Sequence, residues 1–409
     1  MDPVAAQYEA FPYPARAPAE EASRLIEGSP SHPVEIDHFL FGGRRDWTQP
    51  FRVLVAGGGT GDALVMLAQK LADIDCPAEI TYLDLSQASR AIAEARMAAR
   101  GLTARFLTAD LLAAPAYGPF DYIDCCGVLH HLPEPDAGFR ALAAAVAPGG
   151  GMGLMVYAPH GRTGVYALQD AFGALLAEDP PRDKVALARD VIEALPESNW
   201  LRRNPFVRDY RDGDAGLYDL LLHARDRAYE IGDLEAALAR AGLAVAGVLE
   251  PARYDPMRYL PGKPEIAERV RRLSPPARMA LAERLAGNIK THVVYAVPQA
   301  RAADLVPPRP LAELDLVPHT RLDARALAQH VAKEDGFRLT LDGVAHRVDF
   351  SRGGKAPGAG RRLAPLIAGI DGTRSLGEIA RSPLAAGWEA VDTALTGFNL
   401  LHYSIGARR

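Results

Sequence analysis

The spacing of apolar and polar positions changes several times along the chain, and each change marks an element. RVLVA (52–56) is an unbroken apolar run that ends in a glycine cluster, the pattern of a strand buried on both faces. DALVMLAQKLA (62–72) repeats its apolar residues at helical spacing. AEITYLDL (78–85) reads as the next strand, and ASRAIAEARMAARG (88–101) as a helix stopped by glycine. ARFLTAD (104–110) and FDYIDCCG (120–127) read as strands, DAGFRALAAAVAPGG (136–150) as a helix, and GMGLMVYA (151–158) as a fifth strand. Strands separated by helices predict a parallel, doubly wound sheet, because parallel neighbours need a crossover long enough to hold a helix.

The alternation pauses over 159–229, which reads as helices and loops, and then resumes. A helix at 231–242, a strand at 243–250, a further helical insertion and a strand at 290–298 complete a sheet of about seven strands. The expected organisation is an α/β Rossmann-like domain at 51–298 with a helical insertion at 159–229. A proline-containing linker at 299–320 and a small α+β domain at 321–409 follow. Residues 1–50 are rich in proline and aromatics, with YEAFPYP at 8–14 and a helix expected near Glu20–Glu27. Prolines hold such a segment extended, so Tyr8, Phe11 and Tyr13 are expected to form a lid or a packed tail. SRGGKAPGAGRR (351–362) reads as a mobile basic loop.

Composition narrows the function classes. A net charge of −5 over 409 residues gives no extended basic surface, so nucleic acid is not an expected partner. In the one basic loop, Arg352, Lys355, Arg361 and Arg362 have no interleaved aromatic residues for base stacking. Cys76, Cys125 and Cys126 form neither a metal-ligand pattern nor a disulfide framework, so no metal is expected and the cysteines suit a reducing cytoplasm. The first residues lack a basic run followed by an apolar core, so no signal peptide is read there. The most apolar long stretch, 141–158, is interrupted by PGGG, so no membrane span is expected. No feature of the sequence specifies an oligomeric state.

The glycine loop carries the chemistry. No Gly-Lys-Ser/Thr follows it, which excludes a triphosphate-binding loop. Against the dinucleotide fingerprint, Gly57 and Gly59 fit, but the position of the third small residue is Asp62. An anion in the first turn of the following helix opposes the pyrophosphate that a helix N-terminus attracts. Gly57-x-Gly59-x-Gly61 followed by an acid suits a ligand without phosphate that carries a sulfonium and an ammonium. Asp84 ends the second strand, where a carboxylate can accept from both ribose hydroxyls, a need that NAD and S-adenosylmethionine (SAM) share. Asp110 ends the third strand, where an acid can accept from an adenine amino group. Cys125 to His131 follow the fourth strand, beside the switch point where ligands of such sheets sit.

VLVAGGGTGD, YLDLS, TADLL and FDYIDCCGVLHHLPEP, in this order and spacing, resemble the class I SAM-dependent methyltransferase family. The resemblance implies that Gly57, Gly59 and Gly61 flank the methionine part of SAM. It implies that Asp84 holds the ribose with Leu85 against the adenine, that Asp110 and Leu111 read the adenine, and that Cys126 lies near the methionine end. The family's usual acid two residues before the first glycine is Val55 here, and Asp62 is the expected substitute. Outside the core, QYEAFPYP, GVLHHLPEP and LYDLLLHARDRAY resemble a poorly characterised bacterial methyltransferase group. LAPLIAGIDGTRSLGEIA (363–380) resembles the winged-helix-like tails of some methyltransferases.

Methyl transfer from a sulfonium depends mainly on alignment, and a general base is needed only where the nucleophile arrives protonated. No catalytic residue therefore has to stand out in the sequence. His130 and His223 are the candidate bases, against a plain packing role for LHHL and a salt-bridged helix end for LLHARDRAY. Tyr8, Tyr13, Tyr157, His223 and Arg225 are the candidates on the acceptor side. The expected function is SAM-dependent methylation of a protein side chain or a small molecule, with S-adenosylhomocysteine as product. The rival readings are a non-catalytic SAM-binding regulator and an NAD-dependent oxidoreductase.

Overall fold

A computed structural model of the chain describes residues 3–341, 343–350, 358–380 and 385–405. The expected loop at 351–362 lies outside the described residues as far as residue 357, with Arg352 and Lys355 in it. Arg361 and Arg362 sit on the helix Ala359–Ala368.

The central sheet has seven strands: β1 (Phe51–Ala56), β2 (Ala78–Asp84), β3 (Arg105–Thr108), β4 (Phe120–Cys126), β5 (Val146–Tyr157), β6 (Leu243–Val248) and β7 (Thr291–Pro298). Their order is β3-β2-β1-β4-β5-β7-β6. β1 runs parallel to β2 and β4, β2 parallel to β3, and β4 parallel to β5, whereas β7 runs antiparallel to β5. The order reverses between β1 and β4, which puts the switch point at the carboxyl ends of these two strands.

The local determinants are readable in the chain. The helix after β1 runs Asp62–Asp73 and buries Leu64, Val65, Leu67, Ala68 and Leu71, the face its apolar spacing presents. The next helix, Gln87–Ala99, starts because the Ser86 side chain accepts the Ser89 N–H, an N-cap that satisfies one of the orphan donors of the first turn. One boundary differs from the pattern. The helix expected over 136–150 ends at Ala145, and Val146 to Gly150 extend β5. Pro148 cannot continue the helix, and the pairing of β4 with β5 shifts register between Phe120 and Tyr122. A Cβ at Gly150 would stand 2.9 Å from the Phe120 carbonyl oxygen and 2.7 Å from that of Asp121. Glycine is needed there for a close approach to a neighbouring strand, and apolar periodicity carries no sign of that approach.

The chain divides into two compact units, along different lines from the 51–298 and 321–409 division expected from the sequence. One holds Met1–His32, Trp47–Val245 and Gly287–Arg301; the other holds Pro33–Asp46, Ala246–Ala286 and Ala302–Arg409. Within the first, the stretch between β5 and β6 folds as helices with their own apolar cluster, including Val165, Leu168, Phe172, Leu217 and Leu221. Phe11 packs against that cluster and stacks on Tyr218 at 5.1 Å between ring centroids.

The second unit is α+β. Two antiparallel strand pairs, Leu316–His319 with His402–Ile405 and Gly336–Leu341 with Val344–Asp349, accompany helices at Ala324–Glu334, Ala359–Ala368 and Ala385–Thr396. Trp388 is buried at its centre, and its indole N–H donates to Tyr403 Oη at 3.0 Å. Among the described residues, no helix is long and apolar enough to cross a membrane.

Candidate functional site

A cavity of about 500 Å³ opens at the carboxyl ends of β1, β2 and β4. The turn after β1 forms its floor. Gly57 N–H donates to Leu83 O at 2.7 Å and Gly61 N–H to Gly58 O at 3.0 Å, so the backbone folds tightly back on β2. Gly57 has φ +68°, and a Cβ there would stand 2.3 Å from Val128. Only glycine allows both that backbone conformation and that contact.

Asp84 ties this turn to the end of β2. Its Oδ2 accepts the Gly59 N–H at 2.8 Å and its Oδ1 the Ser86 N–H at 2.8 Å. Burial raises its pKa, and these backbone donors oppose the rise. A carboxylate has about four acceptor positions, so capacity remains for a ligand. Leu85 lines the cavity with 40% of its surface exposed, an apolar face open to a ligand. Asp110 and Leu111 lie on the same wall; Asp110 is exposed and its Oδ1 accepts the Leu112 N–H at 2.8 Å.

Asp62 lines the cavity, and its carboxylate is engaged by two arginines. Arg16 donates to it through Nε at 2.8 Å and Nη2 at 2.6 Å, and Arg96 through Nη1 at 2.7 Å. Burial pushes its pKa up, and the two guanidinium groups outweigh that to leave it lowered. Arg96, 1% exposed, also donates to Glu21 at 2.7 Å. The N-terminal segment is therefore anchored beside the glycine turn, and Thr60 Oγ1 donates to Pro14 O at 2.7 Å. Tyr8 and Tyr13 from that segment line the cavity.

Asp124 and Cys126 project from β4 into the same space. Asp124 Oδ2 accepts from Ser31 Oγ and, at 3.6 Å, from Cys126 Sγ. Burial, opposed by these hydrogen bonds, raises the Asp124 carboxyl from 3.8 to about 6.

The remaining wall joins three segments distant in sequence. Arg227 N–H donates to His130 O at 3.1 Å and Tyr229 N–H to Tyr157 O at 2.9 Å, which lays residues 223–229 across His130, His131 and the end of β5. His131 lines the cavity, whereas His130 and His223, the candidate bases of the sequence, lie behind the lining. The His131 and His223 rings stack at 3.7 Å. His131 Nδ1 donates to Arg225 O at 2.7 Å, which leaves the Nε2 lone pair free of any hydrogen-bond partner. Arg225 N–H donates to His223 Nδ1 at 3.1 Å, so that ring carries its proton on Nε2.

Burial lowers the pKa of His131, and it lowers those of His130 and His223 further, so all three rings are neutral near pH 7. Asp219 accepts from Tyr8 Oη at 2.9 Å and Tyr157 Oη at 3.3 Å. Burial raises its pKa. The ligand-capable atoms of His131, Asp219 and His223 fall within 4.8 Å of one another.

The sequence patterns singled out His130 and His223 and passed over His131 and Asp219. Tyr8, Tyr13, Tyr157 and Arg225 all reach the cavity lining. No spacing rule connects residues 8, 131, 157 and 219. The available signal was a single acid, Asp219, within the otherwise apolar run LYDLLL.

In a doubly wound sheet ligands bind at the switch point, and the cavity opens there. Residues 54–152 match the family described as methyltransferase domain. The chain carries this methyltransferase domain and is a methyltransferase. An uncharacterized protein of Synechococcus sp. is 32% identical over 299 residues, 71% of this chain and 70% of that one. The demethylmenaquinone methyltransferase of Thermus thermophilus is 27% identical over 197 residues, 48% of this chain and 76% of that one. In fold, the chain is similar to PKMT2 from Rickettsia typhi in complex with AdoHcy, with a TM-score of 0.61 and 14% identity over 91% of this chain and 75% of that one.

Proposed function

We propose that the cavity seats SAM along the β1, β2 and β4 ends and takes an amine as methyl acceptor beside Asp219. The observation that carries this reading is the division of the cavity into two kinds of wall. One is glycine backbone with Asp84, and the other is three tyrosines around a buried carboxylate.

Gly57, Gly59 and Gly61 supply backbone against the methionine part of SAM. Asp84 holds the ribose hydroxyls, Leu85 and Leu111 flank the adenine, Asp110 accepts from its amino group, and Cys126 lies near the methionine end. The residues fit this cofactor because Asp84 keeps acceptor capacity after its backbone hydrogen bonds. They also fit because the glycine turn, packed on Val128, presents backbone rather than side chains to the cavity. Bound there, SAM supplies an activated methyl group on a sulfonium, passed to the acceptor by SN2 displacement.

On the acceptor side, the Asp219 carboxyl lies among the rings of Tyr8, Tyr13 and Tyr157. Carboxylate and aromatic faces together recognise an ammonium group. The Arg162 guanidinium, 3.0 Å from Asp226 and stacked on Tyr157 at 3.6 Å, is already paired, so Asp219 is left for an incoming cation. An ammonium must lose a proton before it can attack. His131, neutral and with its Nε2 lone pair without a partner, accepts that proton, and Asp219 favours the imidazolium so formed. The N-terminal segment with Tyr8 and Tyr13 acts as a lid that keeps water from the transfer. The amine belongs to a protein side chain or a small molecule, and the reaction takes place in the reducing cytoplasm, where Cys76, Cys125 and Cys126 stay as free thiols.

The test is incubation of a lysate with methyl-labelled SAM and the protein, followed by hydrolysis and identification of the labelled compound. The expected product is an N-methyl amine. Label recovered only as methanol after alkali, the mark of a methyl ester, would refute the amine reading.

A further inference from the structure

We infer that Asp124 on β4, and not the loop acid Asp62, holds the α-ammonium of the methionine moiety of SAM. The inference rests on the reading of this cavity as the SAM site, and it answers the question raised by Val55.

The register of the sheet is the first observation. β1 and β4 pair in parallel with Val55 opposite Asp124. Registered residues of parallel neighbours share a face of the sheet, and both of these line the cavity. An acid absent from β1 just before the glycine turn is thus present one strand across, at the same depth beneath the turn.

The second observation comes from the other carboxylates of the cavity. Six acids line it: Glu27, Asp62, Asp84, Asp110, Asp124 and Asp219. Glu27 pairs with Lys70 at 2.5 Å, and Asp62 is held by Arg16 and Arg96. Asp84 accepts backbone N–H groups at the end of β2, on the ribose side. Asp110 is exposed at a 3₁₀-helix N-cap, and Asp219 lies in the tyrosine compartment. Asp124 is 2% exposed, and its hydrogen bonds, from Ser31 and Cys126, both go to Oδ2. Among the described residues no cation pairs with it, and its Oδ1 accepts no hydrogen bond.

A buried carboxylate without a cation is costly unless something charged completes it. The methionine end of SAM brings an ammonium into this part of the cavity, beside Cys126 and the glycine turn. Burial raises the Asp124 carboxyl to about 6, so it is ionised at neutral pH and ready to take that cation. Asp62, its charge already balanced by the Arg16 and Arg96 guanidinium groups, instead anchors the N-terminal segment against the turn.

The experiment is calorimetric titration of the full chain with S-adenosylhomocysteine and with its analogue lacking the α-amino group. The wild type is expected to bind S-adenosylhomocysteine on the order of 30-fold more tightly than the analogue, as for a charge-assisted hydrogen bond. Asp124→Asn should lose about tenfold or more in S-adenosylhomocysteine affinity and leave analogue binding within about threefold. Asp62→Asn should keep the discrimination between the two ligands. Discrimination that survives Asp124→Asn and disappears in Asp62→Asn would overturn the assignment. If Asp124→Asn does not fold, the wild type still decides. The titratable group facing Asp124 is Cys126, whose thiol burial keeps protonated, so preference for the amino ligand should decline below about pH 6. A preference unchanged down to pH 5 would overturn it. Wild type that binds neither ligand would instead sink the SAM-site reading beneath the inference.

Discussion

Replacing Asp84 by alanine tests the cofactor half of the site, and its size can be worked out from the hydrogen bonds. In the native chain this carboxylate accepts from Gly59 N–H and Ser86 N–H, both at 2.8 Å, so it shapes the turn as well as facing the cavity. Alanine leaves these donors without their acceptor and removes the partner of the ribose hydroxyls. Hydrogen bonds to a charged group are worth about 1.5–3 kcal/mol, so affinity should fall by roughly 10- to 150-fold. Asp84→Asn sharpens the test. One amide oxygen can keep one backbone donor, but the NH₂ group must then face the other, donor against donor, so asparagine should lose nearly as much as alanine. The assay is calorimetry with S-adenosylhomocysteine, with circular dichroism to confirm that each variant is folded. A folded Asp84→Ala protein whose dissociation constant stays within threefold of wild type would refute the ribose assignment.

Three other substitutions probe the rest of the architecture. Asp124 is held at about 6 against an ordinary 3.8, and at 1.36 kcal/mol per pKa unit its ionised form costs the ligand-free fold about 3 kcal/mol. Because the folded value is the raised one, that cost is complete above about pH 6 and is relieved as pH falls toward 3.8. Asp124→Asn should therefore melt higher than wild type at pH 8 and lose that advantage near pH 4; equal midpoints at pH 8 would contradict the argument. Arg96→Met removes a 1% exposed guanidinium shared by Glu21 and Asp62, and breaking such a buried pair should cost about 3–5 kcal/mol in urea denaturation. A loss below about 1 kcal/mol would show that Arg100, 2.5 Å from Glu21, suffices. Asp219→Asn should lower kcat/KM for an amine acceptor by on the order of tenfold or more, with S-adenosylhomocysteine affinity unchanged. An equal loss in both would place Asp219 in the cofactor site instead.

Much of the scaffold was written in local pattern. The strand–helix alternation from Phe51 onward and the glycine turn depend on residues a few positions apart, and short-range rules read them directly. The place of Asp84 at the end of β2 was legible because the apolar run of that strand stops there. The start of β5 was not: Val146 joins the sheet because a glycine lets the chain pass close to the Phe120 and Asp121 carbonyls, a neighbour more than twenty residues away.

The site divides along the same line. By itself, the sequence determined the kind of ligand, since a glycine turn followed by an acid, and acids at successive strand ends, suit a cationic nucleoside cofactor. Tertiary structure decided which partners each acid has. Asp62 looked like the replacement for the acid missing at Val55 until Arg16 and Arg96 were seen to engage it. Asp124 acquired its meaning from the register that sets it opposite Val55. His131 and Asp219, 88 positions apart, share a wall because residues 223–229 lie across the end of β5. Periodicity reports which face of an element is buried; pairing between distant segments is decided by the packing of the whole chain, and the chemistry of this site depends on that pairing.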